Sequence, residues 1–335
     1  MNRVAIVVLN WNGADDTLQC VDSLLKQDYR KFHIVVIDNG SADDSPERLE
    51  DYRTKHAEEV TVLYNMRNEG FAGGVNTGIR WVMNNNFDAI ALFNNDATAD
   101  PAWLSKLVAV FDNASVGIAT GLLLREGGAT IDTTGEQYSK WGLPFPRSRN
   151  DRTELAPIDG VTFGATGGAS LYRVDLFADI GLFDEDFFAY YEDLDVSFRA
   201  QLAGWEVAYT SEAVAYHKQG ATSAKIPGFT TYQAFKNLPL LITKNVPLGL
   251  LPSVGVRFLL AYTLMFWKAV FHGKGRYALK GLLVHFMYIP KKLVERRHIQ
   301  SHKKVSTDYI RSLLWNDLPP EQAGLRKLRR LFIGK

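Results

Sequence analysis

Residues 3–39 read RVAIVVLNWNGADDTLQCVDSLLKQDYRKFHIVVIDN, and this stretch decides the fold. Arg3–Leu9 is an apolar run of β type. Asp15–Lys26 places Leu18, Val21, Leu24 and Leu25 at helical spacing. Phe32–Ile37 is β again and ends at Asp38. The pattern then continues with Val60–Tyr64 (β), Phe71–Met83 (helix), Ala89–Phe93 (β), Ala102–Phe111 (helix) and Val116–Gly121 (β). Such alternation predicts an α/β fold with a mostly parallel sheet and flanking helices. Ligands of such sheets gather at the C-terminal ends of the strands. The polar residues expected there are Asn10, Asp38-Asn39 and Asn94-Asn95-Asp96.

The rest of the chain is less regular. Residues 125–160 are rich in Gly, Pro, Thr and charge and read as an irregular excursion. Val161–Arg173 carries the glycine-rich turn GATGGAS within β-type sequence. Glu206–Tyr209 and Ala213–Tyr216 read as short strands that end at His217.

Between them lies FAYYEDLDVSFRAQLAGW, residues 188–205. Three acids, Glu192, Asp193 and Asp195, open a helical pattern there, where the helix field favours negative charge. Asp195 stands four residues before Arg199 and is expected to form an ordinary ion pair. Asp193 points elsewhere and suits a general base beside an aromatic-walled pocket. The competing reading is a solvated acidic helix start.

The net charge of +1 conceals a division. Residues 236–335 hold 19 Lys and Arg against 4 Asp and Glu, a net +15; residues 1–235 hold 19 against 33, a net −14. That division suggests a catalytic body joined to a segment that meets an anionic surface. The boundary is set at residues 1–228 and 229–335. In Ser253–His272 the polar residues Ser253, Arg257, Lys268 and His272 share an arc of about 100° at ~100° per residue, and most of the remaining surface is apolar. Arg257 and Lys268 interrupt a membrane-spanning run. An in-plane helix is expected instead, helped by the basic pairs Lys291-Lys292, Arg296-Arg297, Lys303-Lys304, Arg326-Lys327 and Arg329-Arg330. The alternative is a buried helix or a homo-oligomer contact. Nucleic acid is not an expected partner, because the aromatic residues of this region lie in apolar helical runs rather than on platforms beside the charges. The single cysteine, Cys20, fits a reducing compartment, and Val4–Leu9 is too short for a secretory leader.

Asn94-Asn95-Asp96 closes a strand and offers oxygen ligands for a divalent cation shared with substrate phosphates. Taken alone, such a triplet is a common turn. His217 also closes a strand, and a lone histidine is more often structural than a ligand. NEGFAGGVN, residues 68–76, enters a helix with small residues that admit a phosphate to backbone N–H groups, or that simply make a tight turn.

In order, VVLNWNG (7–13), VVIDNGSADDS (35–45), NEGFAGGVNTG (68–78), LFNNDATADPAWL (92–104), GATGGASLYR (164–173), GLFDEDFFAYYEDLDVSFRAQLAGW (181–205) and HKQGATS (217–223) resemble the glycosyltransferase family 2 enzymes of GT-A fold, in particular their rhamnosyltransferase-like branch. The resemblance covers about Val4 to Ser223. It implies that Leu9, Asn10 and Trp11 line a nucleotide base whose imide N–H reaches Asp38. It implies that Asn68, Gly70 and Asn76 lie near the ribose and diphosphate, with Asn95 close by. Asp96 and His217 would be the protein ligands of Mg2+ or Mn2+. Asp193 would be the base, Glu192 would orient the site, and Gly167 and Gly168 would admit the acceptor. Many relatives have Asp-x-Asp at the metal motif, whereas this chain offers only Asp96 as a carboxylate there. The implied activity is an inverting transfer at the cytoplasmic face of the cell membrane, with a nucleotide-sugar donor such as dTDP-rhamnose and a lipid-linked saccharide acceptor of surface polysaccharide. Another donor, UDP-galactofuranose or a UDP-hexose, and a nonenzymatic scaffold are the alternatives. Specificity is expected in the loops at 125–160 and 218–230.

Overall fold

The computed structural model describes residues 3–218 and 226–320. Gln219–Ser223 and the basic pairs at 326–330 lie outside them.

The first half alternates as expected: β1 (Val4–Asn10), α1 (Ala14–Leu24), β2 (Phe32–Asn39), α2 (Ser45–Lys55), β3 (Val60–Asn65), α3 (Gly70–Met83), β4 (Ala89–Asn94), β5 (Ala97–Ala99), α4 (Trp103–Val110) and β6 (Val116–Arg125). β1 to β3 run parallel, and β1 also pairs parallel with β4. The side chains of β1 and β2 are largely buried on both faces, which is why VAIVVLN and FHIVVIDN read as continuous apolar runs rather than alternating ones. The sequence reading passed over α2. This helix buries only Ser45 and Leu49, so it carries almost no apolar stripe.

The excursion at 125–160 holds β7 (Ile131–Thr133), β8 (Glu136–Tyr138), β9 (Pro144–Pro146) and the start of β10 (Gly160–Val161). Then come β11 (Ala169–Arg173), α5 (Val174–Ile180), α6 (Glu192–Leu202) and β12 (Glu206–His217). β11 runs antiparallel between β4 and β6, so the expected parallel order is interrupted there. The two short runs read before His217 are one strand, β12, whose register against β6 shifts between Tyr209 and Val214. Gly121 faces that irregularity, and a Cβ there would come within 2.1 Å of the Ala213 carbonyl oxygen.

Among the described residues four helices follow: α7 (Phe229–Asn245), α8 (Leu251–Phe271), α9 (Gly275–Ser301) and α10 (Thr307–Leu313). They pack onto the sheet domain through one apolar core. That core joins Tyr138, Phe163, Phe187, Leu194 and Phe198 to Phe235, Leu241, Phe258, Tyr262, Ala278 and Ile310. Among the described residues α8 is the one helix long and apolar enough to cross a membrane. Its apolar surface is divided. Val254, Phe258, Ala261 and Tyr262 face the core, whereas Val256, Leu259, Leu260, Trp267 and Phe271 are exposed. At ~100° per residue the exposed set forms its own arc, flanked by the polar stripe. α9 exposes a similar row, Leu279, Leu283, Phe286 and Met287.

Candidate active site

The C-terminal end of β4 leads through Asn95 and Asp96 into β5, which folds back antiparallel to the end of β12, with His217 opposite Ala97. His217 therefore stands beside the turn, its Nε2 2.9 Å from Asp96 Oδ1. The other ring nitrogen, Nδ1, lies 2.8 Å from Asp132 Oδ2 on β7. Asp132 is buried, and Arg149 bridges its second oxygen at 3.0 Å. Burial pushes the imidazole down, but the hydrogen bonds it donates to Asp132 and Asp96 outweigh it and raise His217 to about 9.

The donor set fits a divalent cation. With the ring protonated, Nδ1–H donates to Asp132 and Nε2–H to Asp96; a cation beside Asp96 would displace the Nε2 proton and take that lone pair while Asp132 holds Nδ1–H, and carboxylate-held histidines of this kind are the usual metal ligands. A small cavity of about 60 Å³ opens here, lined by Gln19, Asp96, Thr98, Glu126, Tyr216, His217 and Lys218. Asp184, Asp186 and Glu295 also lie close enough together to hold a cation. However, the ammonium of Lys292 already sits among them, at 2.5, 2.7 and 3.0 Å, so that cluster is an internal ion network.

The second half of the site is built on β11 and α6. Gly168 accepts a hydrogen bond from the Asn94 amide at 2.8 Å, and the Asn94 side-chain nitrogen is 3.5 Å from His217 Nε2. A Cβ at Gly168 would press on that side chain at 3.0 Å, and one at Gly167 would meet Phe71 at 2.9 Å. Asp193, in the first turn of α6, accepts the Gly167 N–H at 3.0 Å and the Leu194 N–H at 2.8 Å. Burial raises its carboxyl above the usual range, against the pull of those N–H groups, which makes it a stronger base than an exposed aspartate. Glu192 beside it is buried, and one carboxyl oxygen has no partner. Burial first, and the neighbouring Asp193 charge second, push it well above the usual range. A second negative charge beside Asp193 is thereby disfavoured on Glu192. Asp195 differs from both: it pairs with Arg199 at 2.8 Å and Lys244 at 2.9 Å and is held below the usual range, those cations prevailing over burial.

On the other flank, Asp38 accepts hydrogen bonds from Asn10 Nδ2 (2.8 Å), Ser41 Oγ (2.6 Å) and the Ser41 N–H (3.1 Å). Asn10 is wholly buried and also accepts from Thr17 Oγ1, which in turn receives Asn95 Nδ2. Asn10 therefore positions Asp38 rather than facing a ligand with its own side chain. Leu9 and Trp11 are half-buried at the same edge.

The run at 68–76 differs from the expectation. Asn76 is buried, and its amide is used up by Phe183 (N and O) and Glu185, leaving no polar group for a diphosphate. Asn68 accepts from the Gly70 N–H and from Asn39. Gly70, at φ +72°, makes room for Phe188, whose carbonyl oxygen would lie 2.3 Å from a Cβ there. Gly74 and Gly78 bring α3 onto Leu9, Val7 and Ile37. These small residues serve close packing, the blander of the two sequence readings.

Sequence reasoning missed Asp132, which lies in the irregular stretch with no motif around it.

Comparison with known proteins agrees with this architecture. The family model described as glycosyl transferase family 2 matches residues 5–181. A dTDP-rhamnosyl transferase, RfbF, of Shigella flexneri is 26% identical over 264 residues, 74% of this chain and 82% of that protein. The low-salt glycan biosynthesis hexosyltransferase Agl10 of Haloferax volcanii is 21% identical over 243 residues, 71% of this chain and 74% of its own length. Among solved structures, the mannosyltransferase PcManGT from Pyrobaculum calidifontis, in complex with GDP-Man and Mn2+, superposes with a TM-score of 0.57 at 15% identity, over 99% of this chain and 88% of that one.

Proposed function

We propose, for a chain that belongs to glycosyltransferase family 2 and has the GT-A fold, an inverting, metal-dependent transfer of rhamnose from dTDP-rhamnose to a lipid-linked saccharide of surface polysaccharide. One observation carries the reading: Asp193 is joined through Gly167, Gly168 and Asn94 to the Asp96–His217 pair, so a base and a cation site share one edge of the sheet.

An acceptor hydroxyl is a poor nucleophile at neutral pH, and a positioned carboxylate must take its proton as the new bond forms. Asp193 has the geometry and the raised proton affinity for that task. The acceptor oxygen bonds to the anomeric carbon while the bond to the diphosphate oxygen breaks. Glu192, pushed well above the usual carboxylate range by burial and the Asp193 charge, is disfavoured from carrying a second negative charge there. With one base and no nucleophilic carboxylate, a single displacement inverts the anomeric centre. Mg2+ or Mn2+, held by Asp96 and His217, would supply positive charge for the leaving diphosphate. Asp38, fixed by Asn10 and Ser41, would receive the base of the nucleotide, with Leu9 and Trp11 beside it and Asn95 anchored through Thr17.

The surfaces of α8 and α9 support a membrane-borne acceptor. Their exposed apolar rows lie among Arg257, Lys268, Lys274, Arg276 and Lys280, which suits the inner surface of an anionic membrane. α8 packs one side into the core, so it lies along the body rather than crossing a bilayer.

The test is a donor panel with Mg2+ or Mn2+ and a membrane lipid extract, with Asp193→Asn in parallel. Nucleoside diphosphate release from dTDP-rhamnose, lost on chelation and in Asp193→Asn, is expected. Release from UDP-galactofuranose or a UDP-hexose instead would replace the donor. Failure to bind either dTDP or UDP would point to a scaffold.

A further inference from the structure

The turn that delivers Asp193 is built from unfavourable backbone. Phe188, Tyr190 and Tyr191 hold φ of +65°, +69° and +73°, the left-handed region that side chains other than glycine seldom adopt. Such conformations persist only where the surroundings over-determine them. Here the surroundings include α7. Asn237, fully buried, directs its side-chain nitrogen at three carbonyl oxygens: Phe187 at 2.9 Å, Ala189 at 3.0 Å and Tyr190 at 2.8 Å. The buried Lys236 adds the carbonyls of Asp186 at 2.8 Å and Phe187 at 3.1 Å. The amide oxygen of Asn237 has no hydrogen-bond partner, so only the donor side of the amide is engaged. On the opposite side, the Phe188 carbonyl accepts the Ala72 N–H at 3.2 Å, over the space left by Gly70. The turn then passes directly into α6: the Tyr191 carbonyl accepts the Asp195 N–H at 3.0 Å, closing the helical turn that carries Asp193.

We propose that Asn237, assisted by Lys236, is a positioning residue for transfer. It holds the 187–191 turn in its left-handed form and so aims Asp193, without touching donor or acceptor. The proposal rests on Asp193 being the base.

The test uses Asn237→Ala, and Asn237→Asp, which puts oxygen where the donor was. Hydrogen exchange should rise in peptides covering 187–195 and stay unchanged in β1 and β4. With the best donor of the panel and the lipid extract, kcat should fall ~10–100-fold, the usual cost of a displaced catalytic group. KM for that donor, and Kd for its nucleoside diphosphate with Mn2+, should move less than about twofold. Glycine adopts these angles freely. Tyr190→Gly in the Asn237→Ala background should therefore recover part of the lost kcat and lower the exchange again. Unchanged exchange at 187–195, or unchanged kcat, overturns the proposal. So does a loss of nucleotide binding that Tyr190→Gly does not repair, since that marks general support of the fold. Asp193→Asn separates the two layers: if it transfers normally, the base assignment fails and the aim of the turn with it. If it is inactive while Asn237→Ala is fully active, only the positioning role fails.

Discussion

Asp132 should control metal affinity although it is not placed to touch the metal. Its carboxylate lies 2.8 Å behind the His217 ring, on the nitrogen opposite Asp96. Asp132→Asn keeps an acceptor for Nδ1–H but removes the charge, and Asp132→Ala removes both. Losing such an outer partner costs ~10–100-fold in metal affinity. That range corresponds to about 1.4–2.8 kcal/mol. Asp132 is only 2% exposed, so solvent does little to screen its charge, and the alanine variant belongs at the upper end. The asparagine variant belongs near the lower end. The displaced Arg149 has a side chain 36% exposed, so water replaces its lost partner and stability should change little. Electron paramagnetic resonance of free Mn2+, titrated with protein and saturating nucleoside diphosphate, measures the affinity. The metal-activation midpoint should shift by the same factor. Wild-type Mn2+ affinity in a folded Asp132→Ala protein would refute the reasoning, because His217 would then need no such orienting group or would not be a ligand.

Glu192→Gln should stabilise the protein, and the gain should grow with pH. The folded-state pKa of Glu192 is raised, so its contribution is most favourable below the ordinary carboxylate value and is lost as pH rises toward the folded value. The neutral isostere escapes that loss, so melting curves between pH 4 and 8 should diverge upward ~1.4 kcal/mol per pH unit at most; parallel curves would contradict it. Replacing Trp267 and Phe271 by Ser should weaken sedimentation with anionic vesicles by more than about tenfold, since each buried aromatic contributes ~1.5–3 kcal/mol. Equal binding would remove α8 from the membrane face, and a change in oligomeric state instead would assign the face to a second copy. Gly70→Ala should lower stability by more than about 1 kcal/mol, because φ is +72° and the added carbon would meet Phe188; an unaltered melting temperature would speak against so tight a contact.

The sequence made β1, β2 and β4 legible because burial on both faces leaves unbroken apolar runs, β3 through alternating buried valines, and α3 through its stripe. α2 left no stripe, and the place of β11 between β4 and β6 depends on pairings that no local pattern encodes. Within the site, Asp96, His217 and Asp193 were visible because each ends a strand or opens a helix. Asp132 was not, since its only signal is a partner 85 positions away. Asn76 misled because a buried asparagine that ties two segments together looks, in sequence, like one offered to a ligand. The apolar surface of α8 was evident from composition, but which half enters the core was settled by its helical neighbours.

Lys292 is wholly buried against Asp184, a residue synthesised 108 positions earlier. That separation has a consequence for biogenesis. On the ribosome the sheet can assemble as its strands emerge, and Asp184 can meet Lys244 once α7 is made, whereas its second ammonium, Lys292, arrives only with α9. The acidic turn therefore gathers its cations in chain order, first from α7 and last from α9.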